Sequence, residues 1–308
     1  MDDEILKKTI DFIESIVNET KQDQVKVTLH GGEPLMAGHK TIETILRLLN
    51  VRFKNVSIGM QSNLWLLDDE FCRTLKEYNV DIGTSLDGPR ELNDGQRGVG
   101  YFDKTMAGMQ LAVSHGLGVG CIATFTAKTL PHWKKIFDFF LSHNIHFGVH
   151  PSVPVYDRDT MLDLTPDQYF VLFSEMFDYY LENAKNIKLS SFDQMCSSVA
   201  NGSGGVCTFK DCFGMFLAID PLGDIYSCQR FNGNKEYCLG NVKDNTSIEK
   251  LISSEAAKKL LHREALLKNE CYGCNHYEYC KGGCAYNALS SPVDNKDIYC
   301  DAYKKIFD

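Results

Sequence analysis

Apolar residues recur at helical spacing near the start of the chain, at Leu6, Ile10, Ile13 and Val17, behind the acidic run Asp2-Asp3-Glu4 that suits a helix N-terminus. The period then shortens to a β-rich run, Val25-Lys-Val-Thr-Leu29, closed by His30-Gly-Gly-Glu-Pro34. The same cycle repeats down the chain. Helical patterns near 39–49, 68–78, 101–115 and from Pro131 onward alternate with strand patterns near 55–61, 80–86, 118–126 and 145–153; Asp68 starts one helix and Gly116 stops another. Strands separated each time by one helix predict parallel βαβ units, whose right-handed crossovers build an open doubly wound sheet or a barrel.

A parallel barrel carries its chemistry at the C-terminal ends of its strands. Gly31, Gly32, Glu33 and Pro34 fall there after the first strand, Gln61, Ser62 and Asn63 after the second, and Ser85, Leu86, Asp87 and Gly88 after the third. Polar residues collected after successive strands predict one shared site. Beyond Pro154 the pattern changes: Thr165 and Pro166 supply an N-cap and a first helical position for a helix reaching about Asn183, and Asn201-Gly-Ser-Gly-Gly205 reads as a linker. The expected organisation is a strand–helix domain over 1–165, a helical linker over 166–206 and a cysteine-rich domain over 207–308.

At 308 residues and 44% hydrophobic content the chain can fill a real core. It has neither an eighteen-residue apolar run nor a secretory pattern, so the expectation is a soluble, cytoplasmic protein without membrane contact. The net charge of −9 is uneven: residues 207–308 carry 13 basic and 14 acidic side chains, residues 1–206 carry 19 and 27. No basic stripe is present, which argues against nucleic acid as a partner.

The cysteines change the picture. There are twelve, and Cys207, Cys212, Cys228, Cys238, Cys271, Cys274, Cys280, Cys284 and Cys300 all lie in the last third; only Cys72, Cys121 and Cys196 precede them. Clustered cysteines in a chain without a secretion signal point to metal binding or chemistry rather than disulfides. Cys271-x2-Cys274-x5-Cys280-x3-Cys284 sets four thiols close together, and Asp220-Pro-Leu-Gly223 reads as a hairpin turn between Phe216–Ile219 and Asp224–Ser227, just before Cys228. Spacing alone leaves iron–sulfur and zinc open, with disulfides as a further alternative.

The run Cys212-x10-Gly223-x4-Cys228, then Cys271-x2-Cys274-x5-Cys280-x3-Cys284, then Cys300, resembles the seven-cysteine SPASM domain of radical S-adenosylmethionine (SAM) peptide and protein maturases. His30-Gly-Gly-Glu-Pro34 resembles the motif of that family that binds the methionine amino group of SAM, and Thr84-Ser-Leu-Asp-Gly-Pro89 its strand-four motif. The resemblance covers almost the whole chain. It implies an α/β fold, a partial (β/α)6-type barrel missing its first strand, followed by a small SPASM domain. It implies SAM and [4Fe–4S] clusters as cofactors, a peptide or protein as substrate, and an electron donor such as flavodoxin or ferredoxin. Gly31, Gly32, Glu33 and Pro34 would hold SAM; Asn63, Ser85 and Arg97 lie where ribose or carboxylate contacts could come, with loop capping as the alternative for each. His150, a single histidine at a strand end, reads as structural.

In sulfatase-maturating members a cysteine near Cys207 completes the first auxiliary cluster. The resemblance then implies one site from Cys207, Cys212, Cys228 and Cys284, and a second from Cys271, Cys274, Cys280 and Cys300. Those members place an aspartate base directly after the cysteine that corresponds to Cys228. Here Gln229 stands there, in Cys228-Gln-Arg-Phe-Asn-Gly233 with Leu239-Gly-Asn-Val242 behind it, and a neutral amide cannot act as a carboxylate base. This run resembles maturases of ribosomally made peptides, including those that form thioether crosslinks; formylglycine formation on sulfatases is the alternative, and a non-catalytic iron–sulfur redox or scaffold protein is another. Cys72, Cys121, Cys196 and Cys238 receive no role.

The family's Cys-x3-Cys-x2-Cys loop, which holds the SAM-cleaving cluster, has no counterpart, since no cysteine precedes Cys72. The expectation is therefore that Met1 is an internal start or a truncation, with natural loss of the chemistry as the alternative. Sequencing upstream of Met1 tests this: the frame should encode a strand and a Cys-x3-Cys-x2-Cys loop within a few tens of residues, and a stop codon directly before Met1 with its own ribosome-binding site would favour the non-catalytic alternative.

Overall fold

The computed structural model describes residues 1–153, 162–202, 206–289 and 295–308. The break in pattern at Pro154 and residues 203–205 of the expected linker lie outside them.

The alternation read from the sequence is the alternation that folds. It runs α1 (Asp3–Thr20), β1 (Val25–Leu29), α2 (His39–Arg52), β2 (Val56–Gln61), α3 (Asp69–Glu77), β3 (Asp81–Ser85), α4 (Arg90–Arg97), α5 (Tyr101–Ser114), β4 (Val119–Phe125), α6 (Trp133–Ser142) and β5 (Phe147–Pro151). The five strands form one sheet in the order β1-β2-β3-β4-β5. The first three pairings are parallel, with Val25 opposite Val56, Gly59 opposite Asp81 and Ile82 opposite Val119. Parallel neighbours joined by helices place every strand's C-terminal end on one edge of the sheet, so the polar residues that follow β1, β2 and β3 share that edge.

By its internal contacts the chain divides into two compact units, one of Ile10–Thr124 with Lys134–His150, the other of Met1–Thr9, Phe125–Trp133 and Pro151–Asp308. In the first, Ile58, Met60, Ile82 and Ala123 of the strands and Leu46, Leu75, Ala112, Ile136, Phe137 and Phe140 of the helices are buried. Phe140 stacks on Phe147 with centroids 4.2 Å apart. In α1 the buried apolar positions are Ile5, Leu6, Ile10 and Phe12, whereas Ile13 and Val17 are only half-buried. Asp68 caps α3 as expected, accepting from Phe71 N at 2.8 Å.

One helix of this unit escaped the sequence pattern. Helix α4, Arg-Glu-Leu-Asn-Asp-Gly-Gln-Arg, buries only Asn93 and contains Asn, Asp and Gly, all poor helix formers. Tertiary bonds hold it: Asn93 Oδ1 accepts from Asp87 N at 3.0 Å, and the Asp94 carboxylate accepts from Gly100 N and Phe102 N.

The second unit holds α7 (Pro166–Asn183), α8 (Ser190–Asn201), a three-stranded antiparallel sheet of β6 (Ala218–Ile219), β7 (Asp224–Tyr226) and β8 (Cys238–Asn241), then α9 (Ile248–Ser253), α10 (Glu255–Glu270), α11 (Tyr277–Cys280), α12 (Ala285–Leu289) and α13 (Cys300–Phe307). Thr165 and Gln168 cap α7 reciprocally. Tyr169 of α7 stacks on Phe173 and meets Tyr303 of α13 edge-on, 5.6 Å between centroids. The expected hairpin is present as β6 and β7; Gly223 in its turn has φ +90, which favours glycine. The third strand, β8, was not foreseen. Among the described residues no helix is long and apolar enough to cross a membrane.

Two glycines test the packing in opposite directions. A Cβ on Gly108 of α5 would lie 2.5 Å from Leu64 Cβ and 2.6 Å from Leu64 O, whereas one on Gly95 of α4 meets nothing within 4 Å. Gly108→Ala should lower unfolding free energy by about 1–3 kcal/mol through overpacking, and Gly95→Ala should raise it by up to about 1 kcal/mol through helix propensity, both read by chemical denaturation.

Candidate functional site

At the C-terminal edge of the parallel sheet, Glu33 is the organising residue. Its Oε1 accepts from Ser62 Oγ at 2.7 Å and from Leu35 N at 3.1 Å, and its Oε2 accepts from Asn63 N at 2.8 Å. The ends of β1 and β2 are thereby tied through one carboxylate. An ionised carboxylate has about four acceptor positions, so Glu33 is held rigidly while keeping capacity for a further donor such as an ammonium group. Gly31, at φ +109, makes the turn that an L side chain would strain, and a Cβ on Gly31 or Gly32 would meet no protein atom within 4 Å. The backbone before Glu33 is therefore open to a ligand. Pro34 is buried behind it and starts a short 3-10 turn for which Glu33 is the N-cap.

The other expected residues have partners within the fold. Asn63 Oδ1 accepts from Trp65 N at 2.9 Å, and Ser85 Oγ accepts from Gln61 Nε2 at 3.4 Å. Arg97 forms a two-pronged pair with Asp87, Nε to Oδ2 at 2.5 Å and Nη2 to Oδ1 at 2.9 Å. The Asp87 side chain is fully buried and also accepts from Thr124 N and Gln96 Nε2. Its guanidinium raised further above its usual range by Asp87, against the pull of burial, Arg97 stays a fixed cation at the edge of the sheet. Asn63 thus caps its own turn, Ser85 meets the Gln61 side chain, and Arg97 pairs with Asp87. Ser62 and Asp87 carry more of the edge than the sequence suggested; their signal was a polar side chain directly after a strand. His150 is exposed at the end of β5.

In the second unit the thiols fall into two neighbourhoods. Burial pushes the Cys207, Cys212 and Cys228 thiols up, Cys212 to about 12; the charges of Cys228 and Cys284 add to this at Cys207 and Cys212, while at Cys228 the Arg230 main-chain N–H pulls the other way before Cys284 adds its charge. Burial likewise raises Cys271 and Cys280, which feel one another and Cys274; it lifts Cys300 to about 11, with Cys280 among its neighbours. In the grouping that the resemblance implies, the first four would hold one cluster and the second four the other. Among the described residues no three of them stand in ready-made metal coordination geometry. The chemistry nevertheless fits: soft sulfurs are gathered where desolvation and mutual repulsion oppose the thiolate, and a cationic iron core relieves both.

Cations line each neighbourhood. Arg263, 3% exposed, donates to Gly282 O, Gly283 O and Asn295 O, which fixes the turn leading into Cys284. Its neighbour Glu264 accepts from Phe213 N, beside Cys212. Lys296 and Lys304 stand near the second foursome. Tyr226, Phe231, Leu260 and Ala285 form an apolar cluster on which Cys212, Cys228 and Cys238 pack. The remaining thiols differ: Cys72 and Cys121 are buried in the first unit, Cys121 pushed up to about 12 by burial, while Cys196 is exposed and Cys238 Sγ donates to Gly240 O.

Residues 4–140 match the radical SAM superfamily, and residues 211–275 match the SPASM iron–sulfur cluster-binding domain. The chain belongs to the radical SAM superfamily. Its cofactors are accordingly SAM and [4Fe–4S] clusters. The cysteine-type anaerobic sulfatase-maturating enzyme of Clostridium perfringens is 24% identical over 324 residues, spanning 100% of this chain and 86% of its own length. The solved structure of anSMEcpe with bound AdoMet and the Cp18Cys peptide has a TM-score of 0.86 at 22% identity, covering 100% of this chain and 88% of that one. Streptococcus suis SuiB bound to precursor peptide SuiA has a TM-score of 0.64 at 15% identity, covering 95% and 68%. The likeness to both structures establishes the fold, a parallel radical SAM sheet followed by a SPASM domain.

Anaerobic reconstitution tests the two foursomes. The protein should bind roughly eight irons with matching labile sulfide; Cys274→Ala or Cys280→Ala should remove about half of that iron and lower solubility, because an open site also loosens the fold it crosslinks. Stoichiometric zinc without sulfide would refute the assignment.

Proposed function

We propose that this chain is the greater part of a peptide-modifying enzyme, residues 1–165 holding SAM, 166–206 linking, and 207–308 holding two auxiliary [4Fe–4S] clusters through the foursomes led by Cys207 and by Cys271, while the loop that would hold the SAM-cleaving cluster has no counterpart in it. SAM and a reduced cluster supply hydrogen-atom abstraction from carbon. The chain's own residues bind and orient: Glu33 receives the SAM ammonium beside the open Gly31-Gly32 backbone, and the fixed Arg97–Asp87 pair keeps a cation at the strand ends. Asn63 and Ser85 hold the loops around the nucleoside.

The observation that carries the choice of reaction is Gln229, exposed and directly after Cys228. An amide takes up no proton, so the reading is thioether formation within a ribosomally made peptide rather than formylglycine formation. The balance is closed. A C–H and an S–H bond would break and a C–S bond form: bound SAM would take up the carbon-bound hydrogen, the thiol proton would pass to solvent, and a cluster held by the Cys207 foursome would supply an acceptor for the remaining electron. A cytoplasmic flavodoxin or ferredoxin would supply reducing electrons. Maturation of a sulfatase is the second reading, favoured by whole-chain alignment with an enzyme of that description.

Mass spectrometry of a neighbouring cysteine-bearing precursor, incubated anaerobically with SAM, reductant and the enzyme carrying its SAM cluster, should detect loss of two hydrogens with a thiol consumed. Glu33→Ala should weaken SAM binding by roughly ten- to a hundred-fold, the loss of about 1.5–3 kcal/mol. Gln229→Ala should leave reductive SAM cleavage intact while altering the peptide product. SAM cleavage with every neighbouring peptide unchanged and a sulfatase converted would overturn the thioether reading in favour of the second.

A further inference from the structure

Arg230 touches two thiols of the first foursome by two different routes. Its main-chain N donates to Cys228 Sγ at 3.5 Å, and its Nη1 donates to Cys284 Sγ at 3.6 Å. The same Nη1 donates to Asn287 Oδ1 at 2.6 Å, and the guanidinium lies 4.1 Å above the Tyr286 ring.

The anchor behind Arg230 is buried. Asn287, 3% exposed, donates through Nδ2 to Asp297 Oδ2 at 2.9 Å. That carboxylate, 2% exposed, also accepts from Tyr303 Oη at 2.9 Å and from Cys284 N at 2.8 Å, while its Oδ1 accepts from Tyr299 N at 3.0 Å. A side chain aimed in this way is not a solvated surface cation that happens to pass near sulfur. Tyr303, Asp297, Asn287 and Arg230 form one hydrogen-bonded line that ends on Cys284, and Asp297 grips the main chain of that same cysteine. The lysines of the second foursome act on their thiols as charges, and Lys304 Nζ is occupied with Asp301.

A cation and N–H donors at a cluster's sulfurs favour the more negative, reduced state, and so raise its reduction potential. We propose that Arg230, aimed by Asn287 and Asp297, is a positioning residue that raises the reduction potential of the cluster held by Cys207, Cys212, Cys228 and Cys284. This rests on the reading of that foursome as a cluster site. In the proposed reaction it fits this cluster to accept the electron left when the new bond closes.

The test is a redox titration of the reconstituted protein followed by electron paramagnetic resonance, with iron and sulfide measured for each variant. In Arg230→Gln with full iron, one of the auxiliary-cluster midpoint potentials should fall and the other should stay where it is. Arg230→Lys, which keeps the charge and loses the planar fork, should fall less. Asn287→Ala keeps the charge and removes the anchor, and should move the same cluster in the same direction. If Arg230→Gln loads less iron, the fully loaded lysine and Asn287 variants decide the matter. Potentials unmoved in every fully loaded variant would overturn the proposal, whereas wild-type protein that takes up no iron would overturn the cluster reading beneath it.

Discussion

The second unit depends on bringing thiols into the same neighbourhood under partial cover: Cys271 and Cys280 are buried, Cys212, Cys228 and Cys284 half-buried and Cys207 exposed. Thiols at Cys207, Cys212 and Cys228 lie where burial and neighbouring charge both oppose ionisation, so the polypeptide must hold the arrangement by other means until metal arrives. It does so with the β6–β7–β8 sheet, with the Tyr226–Phe231–Leu260–Ala285 cluster, and with Arg263 clamping two carbonyls at the turn before Cys284 and a third at Asn295. Gly283 belongs to the same constraint. It has φ +75, and a Cβ there would come within 2.3 Å of Asp297 Cβ, so the chain passes the buried carboxylate only as glycine. In thermodynamic terms metal binding and folding of this unit are linked.

The first unit solves a different problem, that of holding charged groups at fixed points on the edge of a parallel sheet. Loop residues at strand ends are tied to each other rather than left to solvent: Glu33 joins two strand ends, and Asp87 joins α4 to β4 through Arg97, Gln96 and Thr124. Such ties fix the loops before any ligand is bound, which reduces the ordering cost of binding.

Much of this was legible in the residues because it is periodic or local. The helices flanking β1 to β5, α4 excepted, declared themselves by apolar spacing, α7 by Thr165-Pro166, and the hairpin by Asp220-Pro-Leu-Gly223. The cysteine spacing carried the second unit, and the grouping into foursomes came only from resemblance, since no spacing argument pairs Cys284 with Cys207. What stayed hidden is non-local. Helix α4 has no apolar face and is held by Asn93 and Asp94 bonds to distant main chain. Strand β8 is four residues long and is specified by its partner β7. Asp297 looks like any surface aspartate until Tyr303, Asn287 and Cys284 converge on it.

The order of the cysteines along the chain has a kinetic meaning. Cys284 belongs to the first foursome, yet it lies between Cys280 and Cys300 of the second, only four positions beyond Cys280. On the cluster reading, filling one foursome therefore shortens the free chain that the other must close, and the entropy of closure grows with the length of the loop. Each occupied site lowers the conformational barrier for its neighbour, as the first closed clasp on a strap brings the second into reach. The second site then fills more readily than the first, while a chain with one foursome broken still closes the other over a longer loop.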